Sequence, residues 1–175
     1  VDWIHRRFKA LGHDIDTADA QYLIFLCGDL MNGLISEIGK IGAYAKNRRV
    51  TREDIDAVAI PIIDAVVFQM TELLSSGRYG DALLKLQQLL KMQEEPINLL
   101  GAIGAHFRRL STARTLLDHG RSAVDLMKLY HIPDYPARKT MSAAGKFPAR
   151  FYAKASELIL ESDRQMKTSF DDSER

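Results

Sequence analysis

The stretch that decides the fold is residues 96–117, PINLLGAIGAHFRRLSTARTLL. Its apolar side chains recur at spacings of three and four, which predicts one long α-helix from about Ile97 to Leu117. Pro96 suits the first turn of such a helix, and Gly120 is expected to end it. Apolar residues occupy more than one face of this helix. We therefore expect it either to lie at the centre of its own core or to be covered in part by a partner.

The same helical periodicity continues on both sides of this stretch, and the alternation typical of β-strands is nearly absent. Thr51-Arg-Glu-Asp54 predicts a capping box, and Ser122-Ala-Val-Asp125 is expected to cap a short helix. Asp16 is expected to cap a further helix, with Asp19 as its partner, and Asn47–Arg49 reads as a polar break. The sequence predicts an all-α protein of about ten helices, without the internal repeat of a helical solenoid.

Pro61 marks the expected boundary between two domains. The residue before a proline avoids the α region, so Ile60 is expected at a helix end or a kink. Four helices are predicted before this point and about six after it. We therefore predict a small helical domain over residues 1–60 and a larger helical bundle over residues 61–175.

The composition is that of a globular protein without a strong net charge. Hydrophobic residues make up 46% of the 175 positions, and 24 basic residues stand against 23 acidic ones. This balance gives no overall attraction to nucleic acid or to a membrane. The single cysteine, Cys27, excludes an internal disulfide, and its apolar neighbours predict a buried small hydrophobic side chain rather than a reactive thiol. We expect an intracellular, cytoplasmic protein with neither a bilayer-spanning segment nor a signal peptide. The opening Val1-Asp-Trp-Ile lacks Met and already has a helical pattern, so the chain is expected to be an interior piece of a longer protein.

No catalytic, cofactor-binding or metal-binding residues are predicted. A metal site on a helix needs ligands such as two His residues one turn apart. The histidines never have that spacing, and each is expected at the surface or at a helix end: His5, His13, His106, His119 and His131. The glycine pairs Gly39/Gly42 and Gly101/Gly104 lie in apolar helical patterns, which favours close helix packing over phosphate binding. An enzyme whose residues converge only in three dimensions stays an alternative, and perturbed titratable groups in a pocket would identify it.

Basic residues are concentrated between Pro96 and Lys154. Ten Lys or Arg residues lie there against three Asp residues, a difference of 10 − 3 = +7. Such a surface suits either phosphate groups or an acidic partner, and ordinary solvated helix faces are the simpler interpretation. The candidate contacts to a partner or to the DNA backbone are Arg108, Arg109, Arg114, Arg138 and Lys139. A stand-alone nucleic-acid-binding module that uses this stretch is the main alternative function.

Several segments, taken in order, resemble one family. They are Trp3-Ile4 with Arg7 and Leu11-Gly12; Gly28, Met31, Leu34, Glu37-Ile38, Lys40-Ile41 and Tyr44; Val50-Thr51 with Asp54-Ile55; Gly77 with Asp81-Ala82-Leu83; and Pro133, Tyr135 and Arg138-Lys139. Together they resemble the delta subunit of the bacterial DNA polymerase III clamp loader. Leu30 stands where the family usually has Asp, and Ser36 stands where it usually has Asn.

The resemblance implies a role in replication. Residues 1–60 would be the helical lid of an AAA+-like subunit, and residues 61–175 would be the helical collar that joins the loader subunits into a ring. The N-terminal module that contacts the sliding clamp would be missing. The whole subunit would open the clamp and help to load it on primed DNA, as part of a DNA polymerase holoenzyme. This part would be an assembly scaffold without an ATPase site or a cofactor. For Glu37 and Lys40, either a surface ion pair or a contact to the missing module is expected.

Overall fold

The computed structural model describes residues 1–46 and 48–172, with side chains up to residue 168. Asn47, from the predicted polar break, and residues 173–175, at the end of the predicted larger domain, lie outside the described residues. The described ranges contain ten helices and two very short strands, which confirms the all-α prediction. In chain order these are α1 (Asp2–Ala10), β1 (Asp14–Ile15), α2 (Thr17–Cys27), α3 (Met31–Tyr44), β2 (Arg49–Val50), α4 (Arg52–Val58), α5 (Ile63–Ser75), α6 (Tyr79–Leu90), α7 (Pro96–Asp118), α8 (Ala123–Tyr130), α9 (Asp134–Ala144) and α10 (Ala149–Asp172).

Local sequence signals explain where several helices begin and end. Pro96 lies in the first turn of α7, where its missing N–H costs no hydrogen bond. Beyond the other end of α7, Gly120 has φ +66°, a conformation that glycine adopts without strain. The predicted capping box at Thr51 and Asp54 is present at the start of α4. A second capping box, between Ser122 and Asp125, opens α8 as predicted.

The strands β1 and β2 were not predicted. They pair in parallel, with Asp14 opposite Arg49 and Ile15 opposite Val50. A strand of two residues is too short to show the alternation of apolar and polar side chains by which strands are recognised in a sequence. Asp16 lies at the N-cap position of α2, as predicted, but its side chain makes no capping hydrogen bond and pairs with Arg49 next to the strands.

The chain divides into two compact units, Val1–Ala65 and Val66–Arg175. In the first unit, α1, α2, α3 and α4 surround a small apolar core of fully buried side chains, among them Phe8, Leu23 and Ile41. In the second unit, α7 is central and packs against α6, α8, α9 and α10. This position explains why apolar residues cover more than one face of α7.

The core of the second unit is rich in aromatic side chains. Tyr152 is 1% exposed, and its hydroxyl donates a hydrogen bond to the Ala144 carbonyl at 3.1 Å. The ring of Phe151 stacks on Phe147 with a centroid distance of 4.2 Å and lies 6.3 Å from Phe107. These contacts fix α10 against α7 and α9.

No single helix in the described ranges is long and apolar enough to cross a bilayer. Helices α4 (Arg52–Val58) and α5 (Ile63–Ser75) reach the required length and hydropathy only when they are counted together, as a bent pair.

Candidate functional site

Three of the five predicted contact residues are neutralised by acidic side chains. Arg114 forms two hydrogen bonds to Asp118, of 3.2 and 2.5 Å, one turn further along α7. On α9, Arg138 pairs with Asp134 at 2.7 Å. The third is Lys139, whose Nζ lies 3.0 Å from the carboxylate of Glu72 on α5, an acid outside the predicted basic stretch. Exposed pairs of this kind stabilise a fold by at most about 1 kcal/mol, but they leave little net charge for a phosphate backbone.

Arg109 is half-buried, and part of its side chain packs against the protein. Its guanidinium carbon lies 5.7 Å from the ring centroid of Tyr130, a cation–π arrangement. The buried Nε has no hydrogen-bond partner among the described residues. The hydroxyl of Tyr130 is held by Thr112 at 2.9 Å, which fixes the ring. Arg109 is therefore part of the packing between α7 and α8.

Arg108 is the predicted contact residue that stays exposed, and it forms no ion pair with the side chains that the structure describes, which end at residue 168. It lies at a groove between α7 and α10 with a volume of about 290 Å³. The groove is lined by Leu100, Gly101, Gly104, Arg108, Ser156, Ile159, Leu160 and Asp163. Sequence reasoning named Arg108 and the two glycines but missed the whole α10 side. The sequence did contain a signal for the α7 side of the groove. Residues 101, 104 and 108 are three and four positions apart, which places them on one face of α7.

Gly104 sets how closely the two helices approach. A Cβ at this position would lie 3.2 Å from Cγ2 of Ile159, tighter than an ordinary contact. Since Phe107 contacts Phe151 while Gly104 contacts Ile159, α7 and α10 run antiparallel. Nη1 of Arg108 would lie 3.3 Å from the same Cβ, so the guanidinium folds back over Gly104 and lies beside Ile159 within the groove.

The interpretation of the glycine pairs as packing positions was right for only one member of each pair. Gly104 contacts Ile159, and a Cβ at Gly42 would lie 2.9 Å from Cδ1 of Leu11. At Gly39 and Gly101, by contrast, a Cβ would meet nothing within 4 Å. These two glycines face open space, so helix packing does not require them.

The prediction of a surface or helix-end position was wrong for His106. This side chain is 5% exposed in the middle of α7, and its Nε2 lies 2.7 Å from Oγ1 of Thr71 on α5. Burial, aided by the positive charge of Arg109, lowers the pKa of His106 from 6.5 to about 3. The ring is therefore neutral at physiological pH. Its contacts are with Thr71 and with the rings of Phe68 and Phe107, all of which are buried in the core.

In the first unit, the predicted ion pair of Glu37 with Lys40 is present, but Glu37 is buried rather than at the surface. It is 9% exposed, and its carboxylate accepts a hydrogen bond from the backbone N–H of Ile60 at 3.2 Å. Lys40 lies 2.8 Å from the same carboxylate oxygen. The side chain thus joins α3 to the segment before Pro61. Nearby, burial and the charge of Glu37 raise the pKa of the Cys27 thiol to about 12, in agreement with an unreactive side chain.

Among residues 1–46 and 48–172, no group of three or more His, Cys, Asp or Glu side chains is arranged to hold a metal ion. The groups with perturbed pKa values are dispersed over the fold and do not line the groove: Cys27, Arg49, His106, Asp125 and Tyr152. The groove and the exposed apolar side chains are therefore contact surfaces rather than a cluster of titratable groups.

Comparison with known proteins agrees with the resemblance read from the sequence. The model of the family "DNA polymerase III delta subunit, C-terminal domain" matches residues 64–175. DNA polymerase III subunit delta of Bacillus subtilis (strain 168) is 21% identical over 155 residues, which cover 88% of this chain and 45% of that protein. The Probable DNA polymerase III subunit delta of Aquifex aeolicus (strain VF5) is 26% identical over 117 residues, covering 66% and 33%. The chain thus spans less than half the length of either relative.

The fold is also similar to a solved structure. The Bacillus subtilis DNA clamp loader delta protein (YqeN) superposes with a TM-score of 0.74 at 20% identity, over 95% of this chain and 49% of that one. With the match over residues 64–175, which is more than half of the sequence, the chain belongs to the DNA polymerase III delta subunit family.

Proposed function

We propose that this chain is the lid and collar part of a clamp-loader delta subunit, with residues 1–60 as the lid and residues 61–175 as the collar. The whole subunit then opens the sliding clamp and helps to load it on primed DNA in the cytoplasm. The chain itself acts as an assembly scaffold and does not hydrolyse ATP. The observation that carries the proposal is the family match over residues 64–175.

The surface of the second unit supports an assembly role. Large apolar side chains on three of its helices are more than half exposed to solvent, which is typical of surfaces that a protein partner covers. They are Tyr79, Leu83, Leu84 and Leu90 on α6, Val124 and Leu129 on α8, and Leu158 and Leu160 on α10. A collar whose helices pack against neighbouring subunits would bury side chains of this kind.

The test is assembly of the full-length subunit with the other purified loader subunits of the same organism. Size-exclusion chromatography with light scattering should show a complex of defined stoichiometry at micromolar concentration. A full-length subunit that stays monomeric in the presence of every partner would contradict the proposal. ATP hydrolysis by the purified chain would contradict its non-catalytic part.

DNA contact through the basic stretch is the weaker candidate, because Arg114, Arg138 and Lys139 already have acidic partners. If those residues do bind the DNA backbone, affinity for primed duplex should fall steeply with added salt. Neutralising Arg108, Arg109, Arg138 and Lys139 together should then abolish binding in a fluorescence anisotropy titration. No binding at low salt would end this alternative.

A further inference from the structure

The groove between α7 and α10 combines an apolar wall with one available positive charge. Ile159 is half-buried and Leu160 is 62% exposed on the α10 side, while Gly101 leaves open space on the α7 side. The guanidinium of Arg108 lies against Gly104, beside Ile159, and it forms no ion pair with the described side chains. The carboxylate of Asp163, which also lines the groove, forms an ion pair with Lys167 at 2.6 Å. The groove therefore carries an unmatched cation beside an uncovered apolar surface.

We propose that this groove binds an amphipathic helix of another clamp-loader subunit, which places a carboxylate against Arg108 and a large apolar side chain against Ile159 and Leu160. The inference rests on the proposed assembly function and names the surface and the chemistry through which one contact is made. Neither the predicted contact residues nor the family match assigns a partner to this groove.

The positions of the lining residues set the spacing on the partner helix. A Cβ at Gly104 would lie 3.2 Å from Cγ2 of Ile159 and 3.3 Å from Nη1 of Arg108, so the apolar wall and the guanidinium are side by side. A carboxylate and an apolar side chain three or four residues apart are neighbours on a helix surface, so one partner helix can contact both groups. A guanidinium also favours a carboxylate, since it can hold both oxygens at once.

The size of the groove favours side chains of a larger partner over a free small molecule. Its volume of about 290 Å³ lies at or below the range of about 300–1,000 Å³ that is usual for ligand pockets. Leu160 stands exposed at the rim, so an occupant that covers it must extend beyond the groove. A nucleic acid would gain from Arg108 but would leave the apolar wall uncovered.

Two substitutions in the full-length subunit test the two halves of the site. Gly101→Leu fills the groove, and it should not harm folding because leucine is a better helix former than glycine and the position is open. Arg108→Glu reverses the charge. Each should weaken association with the partner subunits at least tenfold, measured by titration with light scattering or interferometry.

Matched controls make the same chemical changes away from the groove and from the exposed apolar side chains of the second unit. Gly39→Leu places leucine at another open helical glycine, on α3 in the first unit. Arg150→Glu reverses the charge of an exposed arginine in the first turn of α10. Both should bind the partners within twofold of the wild-type protein. If wild-type protein assembles and the two groove variants assemble equally well, the groove proposal is wrong while the assembly function stands. If wild-type protein does not assemble, both are wrong.

A photo-crosslinker at Leu160 identifies the occupant directly. A benzophenone side chain there should join the subunit to a partner, within a helical peptide that has an acidic and a large apolar residue three or four positions apart. Reversing the charge of that acid should restore binding to the Arg108→Glu variant. Crosslinks to DNA, or only to the N-terminal half of the same chain, would overturn the proposal.

Discussion

The two compact units are stabilised in different ways. In the first unit, polar side chains link segments that are far apart in the sequence: Tyr22 donates to Asp56 at 2.5 Å, Arg48 pairs with Asp14 at 3.0 Å, and Glu37 accepts from the Ile60 N–H. The second unit relies on long helices and a cluster of buried aromatic rings. Small domains bury a smaller share of their surface on folding, so specific polar contacts contribute a larger part of their stability. The comparison predicts different responses to substitution and to pH.

The largest expected effect is loss of aromatic packing in the second unit. Tyr152→Ala removes a ring that is 1% exposed, and it should lower the free energy of unfolding by about 3–5 kcal/mol. Urea denaturation followed by far-UV circular dichroism measures this. Tyr152→Phe is the control, because it removes only the hydrogen bond to Ala144 and should cost about 1 kcal/mol. Equal losses for the two variants would show that the hydroxyl, not the ring, stabilises this core.

The second unit also contains a pH-sensitive position. The pKa of His106 is about 3 in the folded protein and 6.5 in the unfolded chain, so the unfolded chain binds an extra proton between these values. Stability should therefore fall as the pH decreases from 6.5 towards 3, by up to about 1.4 kcal/mol per pH unit from this group. Above pH 6.5, His106 is neutral in both the folded and the unfolded state, so it no longer makes the stability depend on pH.

The variant His106→Gln isolates this effect, since the amide can still hydrogen-bond to Thr71 but does not titrate. The difference in unfolding free energy between wild type and variant should change with pH only below about 6.5. A difference that is constant from pH 7 to pH 4 would mean that His106 becomes protonated without penalty in the folded state.

In the first unit, the sharpest test is the link between Glu37 and Ile60. Glu37→Ala leaves the backbone N–H of Ile60 without its acceptor and should cost about 1–3 kcal/mol. Trp3, the only tryptophan, lies in this unit and reports its unfolding by fluorescence. Glu37→Gln keeps an acceptor oxygen and should recover most of the loss. If both variants unfold at the wild-type urea concentration, the polar link contributes nothing.

The smallest expected effect is a gain in the stability of the first unit. Gly39→Ala adds a methyl group to an exposed helical position with nothing within 4 Å, and it should stabilise the first unit by about 0.4–1 kcal/mol. Gly12→Ala has the opposite sign, because Gly12 has φ +84° in the turn after α1. Trp3 fluorescence in urea measures both. A stabilising Gly12→Ala would contradict the assigned turn conformation.

Much of the fold was predictable because its signals are local. The first-turn proline of α7 and the capping box at Thr51 and Asp54 depend on residues within a few positions of each other. The β1–β2 pairing and the ion pair of Asp16 with Arg49 were missed, because each joins residues 30 or more positions apart. No local pattern records which distant segment will be a neighbour.

The candidate site shows the same limit. The sequence singled out Arg108 together with Arg114 and Arg138, since all three are basic residues in one stretch. The spacing of four residues between Arg114 and Asp118, and between Asp134 and Arg138, was a local signal for both ion pairs that went unused. No local pattern indicates that α10 forms a groove beside Arg108. His106 was misplaced because the environment of a single histidine depends on which helix packs against it, here α5.

The state of the single cysteine has a practical consequence for measuring how clamp-loader subunits move. With a pKa of about 12, Cys27 is ionised in roughly one molecule in ten thousand or fewer at neutral pH, so maleimide dyes should react with it very slowly. An introduced, exposed cysteine with an ordinary pKa near ~8.5 should react roughly a thousandfold faster. A fluorophore can therefore be placed at one chosen position, such as the rim of the α7–α10 groove, in a protein that keeps its native cysteine.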